Sequence, residues 1–221
     1  MYLDDLLQKK WNSIKKDRSG VYYGQVKHIS DNVYLNELCS PIDMQYYEKL
    51  EQQLGIKLLP ELKEFYKSYN GCRLFHSSIS IYGMPTSESR PFDFFLNNYN
   101  HHAELIKNNC NDDDIVFFGG VGDNFIYYRQ SEIKSPKIYL SKLGSVNVNK
   151  EFSSIKELMN YYINALSYEY DENGFKKHQG KEKWMKGAPI IQNSWNGDID
   201  WKIPTEEQER IKKKENNGQN L

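Results

Sequence analysis

Between residues 44 and 69 the chain repeats large apolar side chains at three- and four-residue intervals, with charge in between. Met44, Tyr47, Leu50 and Leu54 fall at helical spacing, and so do Leu62, Phe65, Tyr66 and Tyr69. Gly55 divides the two runs at a position suited to left-handed closure, and Pro60 pre-sets the first-turn dihedral of the second. Ser40, Pro41 and Asp43 supply a cap, a first-turn proline and an acid three residues on, which is capping-box logic. Asn70-Gly71 stops the second run where a positive φ is wanted. The pattern predicts two short helices joined by a tight elbow. Its aromatic stripe is expected in the core rather than around a cofactor.

The same reading extends outward. Leu3, Leu6, Leu7, Trp11 and Ile14 lie on one face and predict a helix over 3–14; 22–29 reads as a short strand. Residues 74–84 predict one or two strands, 86–100 a long loop, and 102–108 a short helix. Apolar runs at 115–118 and 125–129 flank Gly119-Gly120-Val121-Gly122-Asp123-Asn124, a glycine-rich hairpin turn. Strands follow at 137–141 and 145–149. Ser154 and Glu157 then form a second capping box, opening a helix that buries Ile155, Leu158, Tyr161, Tyr162 and Ala165. Helices, a run of strands and a closing helix argue for an α+β fold, a central mostly antiparallel sheet packed by helices. The expected organisation is a helical N-terminal extension over 1–40 packed on the core, a domain over 41–170, and an extension over 171–221. In that last segment Trp184, Trp195 and Trp201 either strap across the domain or meet a partner. The stretch from Glu206 on reads as a solvated helix or frayed tail.

Composition narrows the function. With 38% hydrophobic residues and a mean hydropathy of -0.79, the chain is expected to be soluble with a modest core. No apolar run approaches the roughly 20 residues a membrane span needs, and the acidic start MYLDDLLQKKW is not a secretory signal. Cys39, Cys72 and Cys110 are odd in number and widely spaced, so free thiols in a cytoplasmic protein are expected rather than a disulfide framework or zinc knuckle. The net charge of -1 hides an asymmetry: +3 over 1–30, -7 over 31–175 and +3 over 176–221. An acidic domain repels nucleic acid and attracts basic proteins.

Catalytic and metal signals are weak. The Gly119–Gly122 run has no following Gly-Lys-Ser/Thr and leads into a strand, so it reads as a turn rather than a phosphate cradle. His101, His102 and Glu104 lack a second ligand pair at useful spacing. Asp112, Asp113 and Asp114 lack the alternation and mid-loop glycine of a calcium loop. His28, His76 and His178 stand isolated, with no nucleophile elbow. No catalytic, metal or cofactor-binding residue is assigned, and no enzyme is expected.

These segments resemble, in order, the SUKH superfamily. The resemblance rests on EKLEQQLGIKLLPELKEFYKSYNG (48–71), SIYGMP (80–85), FFGGVGDNFIYYR (117–129), KIYLSKLG (137–144) and FSSIKELMNYYI (152–163). The superfamily includes a fungal regulator of cell-wall glucan synthesis and many bacterial immunity proteins. The resemblance implies an α+β fold and a non-enzymatic role in binding proteins, as an antitoxin neutralising a polymorphic or contact-dependent toxin, often a nuclease. A regulatory scaffold with a non-toxin partner is the alternative. Leu59, Pro60, Phe65, Asn70, Gly71, Gly122 and Asp123 then read as folding residues. The expected partner is a basic toxin domain, with no direct nucleic acid and no membrane. Asp112, Asp113, Asp114 and Asp123, with Tyr127 and Tyr128, are the candidate contact face.

Overall fold

A computed structural model describes residues 2–171, 174, 175 and 177 of the chain. The tryptophan-bearing segment and the basic tail lie outside the described residues. Among the described residues, nine antiparallel strands form one sheet in sequential order. They are β1 (Ile14–Lys16), β2 (Gly20–Gln25), β3 (Tyr34–Cys39), β4 (Cys72–Leu74), β5 (Ile79–Ile81), β6 (Ile115–Val121), β7 (Asn124–Arg129), β8 (Ile138–Lys142) and β9 (Lys150–Phe152). Five helices accompany them: α1 (Tyr2–Gln8), α2 (Gln45–Leu54), α3 (Pro60–Tyr66), α4 (Phe94–Lys107) and α5 (Ile155–Ser167). The fold is α+β, as expected.

The predicted elbow is present. Gly55 closes α2 at φ 66° and Pro60 opens α3. The predicted cap is displaced: α2 begins at Gln45, and it is Asp43 whose carboxylate accepts the Gln45 N–H at 2.9 Å. Ser40 instead joins the strand system, its N–H donating to the Ser19 carbonyl. Tyr47 of α2 stacks on Tyr66 of α3 with ring centroids 3.9 Å apart, which turns the aromatic stripe into core.

The chain knots together at Asn70. Its side-chain oxygen accepts from the Tyr47 hydroxyl at 2.6 Å and the Met84 N–H at 2.8 Å, while its amide donates to the Met84 carbonyl at 2.5 Å. Its backbone N–H reaches the Cys39 carbonyl at 2.9 Å. One fully buried side chain thus joins α2 to the segment after β5. Gly71 follows with φ 84°, where an added Cβ would meet the Ile81 carbonyl oxygen at 2.7 Å. The Asn-Gly pair therefore does more than end a helix.

Several expectations fail, each for a tertiary reason. The N-terminal helix stops at Gln8, not Ile14; Ile14 opens β1 and Trp11 packs edge-on against Phe75. Residues 14–39 contribute three strands, including β3, where no strand was predicted. Residues 145–149 are loop, and the last strand is 150–152. The expected loop over 86–100 ends at Asp93, because α4 begins at Phe94 on an Asp93 cap that accepts the Leu96 N–H at 2.7 Å.

Adjacent residues on a strand face opposite ways, so β7 shows how the layers are arranged. Tyr127 joins Leu105 of α4 in a cluster with Ile115, Phe117 and Tyr139, whereas the Tyr128 hydroxyl donates to the Lys57 carbonyl in the α2–α3 elbow at 2.9 Å. Helix α4 lies on one face and the elbow on the other. Helix α5 joins the elbow's side through Glu61 of α3, whose two carboxylate oxygens accept the Ile155 and Lys156 N–H groups at 2.8 Å each. Ser154 caps the same turn, accepting the Glu157 N–H at 3.0 Å. Replacing Glu61 with alanine leaves two first-turn donors to water and is expected to cost about 1–2 kcal/mol in urea denaturation. A cost below about 0.3 kcal/mol would show that α5 does not depend on this distant cap.

Candidate functional site

The segment linking α4 to β6 carries the longest unbroken run of acidic residues among the described residues. After α4, Asn109 takes the left-handed conformation that asparagine tolerates (φ 56°), and the chain turns into three successive aspartates. Asp112 accepts the Asp114 N–H through its side chain at 3.2 Å, an Asx-type turn that folds the loop on itself. Its other oxygen pairs with Arg129 at 2.9 Å, and Asp114 approaches the same guanidinium at 3.6 Å. Asp114 also accepts the Ser131 N–H and hydroxyl, both at 2.6 Å. The loop is therefore fastened to the end of β7 from two directions. Asp113, between the clamped pair, is exposed.

The electrostatics agree with the geometry. Partial burial opposes ionisation of Asp114, but the Ser131 hydrogen bonds and Arg129 outweigh it and hold its carboxyl below the usual range. Burial likewise opposes the Arg129 charge, and Asp112 more than restores it. Three carboxylates against one guanidinium leave the cluster with an outward negative excess.

The structure divides the predicted contact set. Asp112, Asp113 and Asp114 precede β6, whereas Asp123 sits in the turn at the other end of the β6–β7 hairpin. At about 3.3 Å per residue along β6, the two groups are roughly 20 Å apart. Tyr127 and Tyr128 are fully buried, one under α4 and one under the elbow, so neither presents surface to a partner. Their expected place on the contact face does not survive the folding of β7 between two layers of helix.

Helix α4 was half legible in the sequence: the expected short helix over 102–108 is its C-terminal part, whereas 94–101 were not expected to be helical. Its inner face, Phe94, Asn98, His101 and Leu105, is buried. Asn98 accepts the Phe117 N–H at 2.9 Å where β6 slips register against β7. His101 accepts from or donates to the Tyr82 hydroxyl at 2.8 Å and packs 3.7 Å from the Phe125 ring. Burial, with neighbouring His102 adding to it, pushes the His101 imidazole down to about 4. His102 faces the Ile115 carbonyl at 3.0 Å, so the adjacent histidines are committed to different structural partners. The Asp93 cap was the signal available for this helix, and the asparagines and aromatics after it masked the signal because they are poor helix formers.

Other chemistry is sparse. Among the described residues, no group of three histidine, cysteine or acidic side chains is arranged to hold a metal ion. No described helix is long and apolar enough to cross a membrane. The three cysteines are free; burial pushes the Cys39 thiol up to about 12, so it is no thiolate at neutral pH. An open cleft between α1 and the end of α5 is lined by Trp11, Tyr168 and Tyr170, with Lys10 lying over the Tyr168 ring at 4.7 Å. Its described lining includes Ser167 and Asp171 but no histidine to activate a nucleophile.

Comparison with known proteins adds one finding. The family model of the SMI1 / KNR4 family (SUKH-1) matches residues 41–161. That span starts just after β3 and ends within α5, so it takes in the elbow, the Asn70 junction, α4 and the acidic loop. No curated protein matches the chain.

Proposed function

The chain belongs to the SMI1 / KNR4 family (SUKH-1), and we propose that it is an immunity protein that binds and neutralises a cognate polymorphic or contact-dependent toxin, nucleases included. Membership supports a protein-binding module of the immunity or regulator type. The observation that carries the finer reading is the aspartate loop, clamped by Arg129 and Ser131 before any partner arrives. A rigid acidic surface suits a basic toxin domain, since complementary charge mainly accelerates capture. Speed matters for an inhibitor that must act before damage accumulates. Asp112, Asp113 and Asp114 form the proposed contact, and Asp123 belongs to it only if the toxin spans the length of the hairpin. The proposed neutralisation takes place in a bacterial cytoplasm, requires no cofactor and involves no catalytic step. The reading takes 41–170 as the family domain, with 1–40 and 171–221 as additions to it.

The test is co-expression of this chain with the toxin domain encoded in the adjoining reading frame. Restored growth and a stable complex are expected; unrelieved killing with both proteins folded would remove the toxin reading. Exchanging Asp112, Asp113 and Asp114 for asparagine should slow association about tenfold at low salt and have little effect near 1 M salt. Because Asp112 and Asp114 also hold the loop, Asp113→Lys alone isolates the charge effect and should reproduce most of the slowing. Association rates identical to the parent's at low salt would take the loop out of the interface. A regulatory scaffold with a non-toxin partner draws on the same membership, and a protein complex without toxin rescue would favour it.

A further inference from the structure

Helix α4 carries a second apolar face that the fold does not use. Phe95, Leu96, Tyr99 and Ile106 are 45%, 54%, 63% and 61% exposed, and Phe92 just before the helix is 40% exposed. At 100° per residue these positions fall within an arc of about 100° on the outside of α4, roughly 130° around the axis from its buried stripe. They extend over about three turns and offer a few hundred Å² of apolar surface. Five of the twelve exposed large hydrophobic residues of the described chain lie in these 15 positions. The outward positions of the other long helices are mostly polar: Glu48, Lys49 and Gln52 beside a single exposed aromatic, Tyr46, on α2, and Lys156, Glu157 and Asn164 on α5. An apolar outer face is therefore particular to α4.

We propose that this face is a protein-docking surface whose occupant is a partner presenting an apolar anchor inside a basic rim. The surrounding charge selects that occupant. Residues 86–114 hold six acidic and two basic side chains, and one of the bases, Lys107, is paired to Glu104 at 3.0 Å. The aspartate loop follows α4 directly, and His102 ties the helix to the first residue of β6 at 3.0 Å. Apolar centre and acidic rim thus form one continuous surface. A second copy of the chain would set this acidic face against itself, because a two-fold interface uses the same patch twice. An anionic membrane surface is disfavoured by the same charge. In such an interface the aromatic and aliphatic anchors supply the affinity and the rim supplies rate and selectivity. The inference rests on the reading of this chain as a protein-binding module, and not on the partner's being a toxin.

The experiment pans a display library of random 16-residue peptides against the full-length chain and against the Leu96→Glu/Tyr99→Glu variant, both verified as folded by circular dichroism. Peptides recovered on the parent are expected to combine large apolar residues with flanking Lys or Arg. They should bind the variant at least about tenfold more weakly and lose affinity as salt rises. In parallel, benzoylphenylalanine at position 99 of the full chain reports by photocrosslinking what already sits on the face. Crosslinking to a recovered peptide supports the proposal. Crosslinking to a second copy or to residues 178–221 of the same chain overturns it, as does an empty selection or one whose peptides are acidic or bind the variant equally well. Failed toxin rescue alongside successful panning would sink the toxin reading and leave the docking surface standing.

Discussion

Replacing Asn70 with alanine is expected to destabilise the protein by about 3–5 kcal/mol. The amide satisfies three groups at once: the Tyr47 hydroxyl, the Met84 N–H and the Met84 carbonyl. Tyr47 is fully buried, so its hydroxyl cannot turn to water when its acceptor is lost. Each buried group left unsatisfied costs about 1–3 kcal/mol, with partial relaxation of the Met84 segment lowering the sum. Asn70→Asp separates shape from chemistry: it keeps an acceptor but deletes the donor to the Met84 carbonyl and buries a charge, so it should also destabilise strongly. Tyr47→Phe removes one bond of the three and should cost about 1–2 kcal/mol. In a double-mutant cycle, Asn70→Ala and Tyr47→Phe should be less than additive, since both break the same bond. Urea denaturation measures all four proteins. An Asn70→Ala cost below about 1 kcal/mol would mean that the junction is held by packing alone.

Stability is expected to fall by about 3 kcal/mol on His101's account as the pH drops from 6.5 to 4. Burial lowers this imidazole from 6.5 to about 4 in the folded protein, while the unfolded chain regains the ordinary value. Between those two pH values the unfolded state binds a proton that the folded state excludes, so stability rises with pH through the window and levels off above it. A displacement of about 2.5 pH units corresponds to about 3 kcal/mol. Exchanging both members of the buried pair, His101→Phe with Tyr82→Phe, removes the titrating group without orphaning its partner. The double variant should lose this part of the pH slope and retain the part below pH 4 owed to Asp17, Asp114 and Glu157, whose carboxyls are held low by hydrogen bonds and nearby cations. Equal slopes in parent and double variant, or a His101 resonance titrating near 6.5 in the folded state, would contradict the assignment.

The two predictions touch opposite faces of the sheet, and their visibility in the sequence differs. Asn70 lies in the stretch that made the family resemblance legible, because Pro60, the four-residue aromatic spacing and Asn-Gly are local signals read on one short segment. The three-way bond of its side chain was not legible, since Met84 reaches it only after β4 and β5 have paired. In the sequence His101 stands beside His102 and near Glu104 with no second ligand pair at useful spacing. Its actual role depends on Tyr82 and Phe125, neither of which is near it in the chain.

The acidic loop makes the same point about function. That 112–114 is charged and suited to a basic partner can be read from composition. Its fastening by Arg129 and Ser131 follows from hairpin register, which pairs Ile115 with Arg129. The same register places Asp123 at the far end and aims Tyr127 and Tyr128 into the two helical layers.

By itself, the sequence determined the elements whose signals are local: the α2–α3 elbow with Gly55 and Pro60, the β6–β7 hairpin around Gly122, and the Ser154-capped α5. It also determined the α+β class and the family. Tertiary structure alone decided which faces those elements present. Residues 94–100 are weak helix formers that become helix when Phe94, Asn98, His101 and Leu105 dock on the sheet. Residues 145–149 alternate like a strand, yet the edge pairing falls instead on 150–152. The reason is one of range. Caps and turn residues act within one turn of backbone, whereas burial, register and the outward apolar stripe of α4 are set by neighbours far away in the chain.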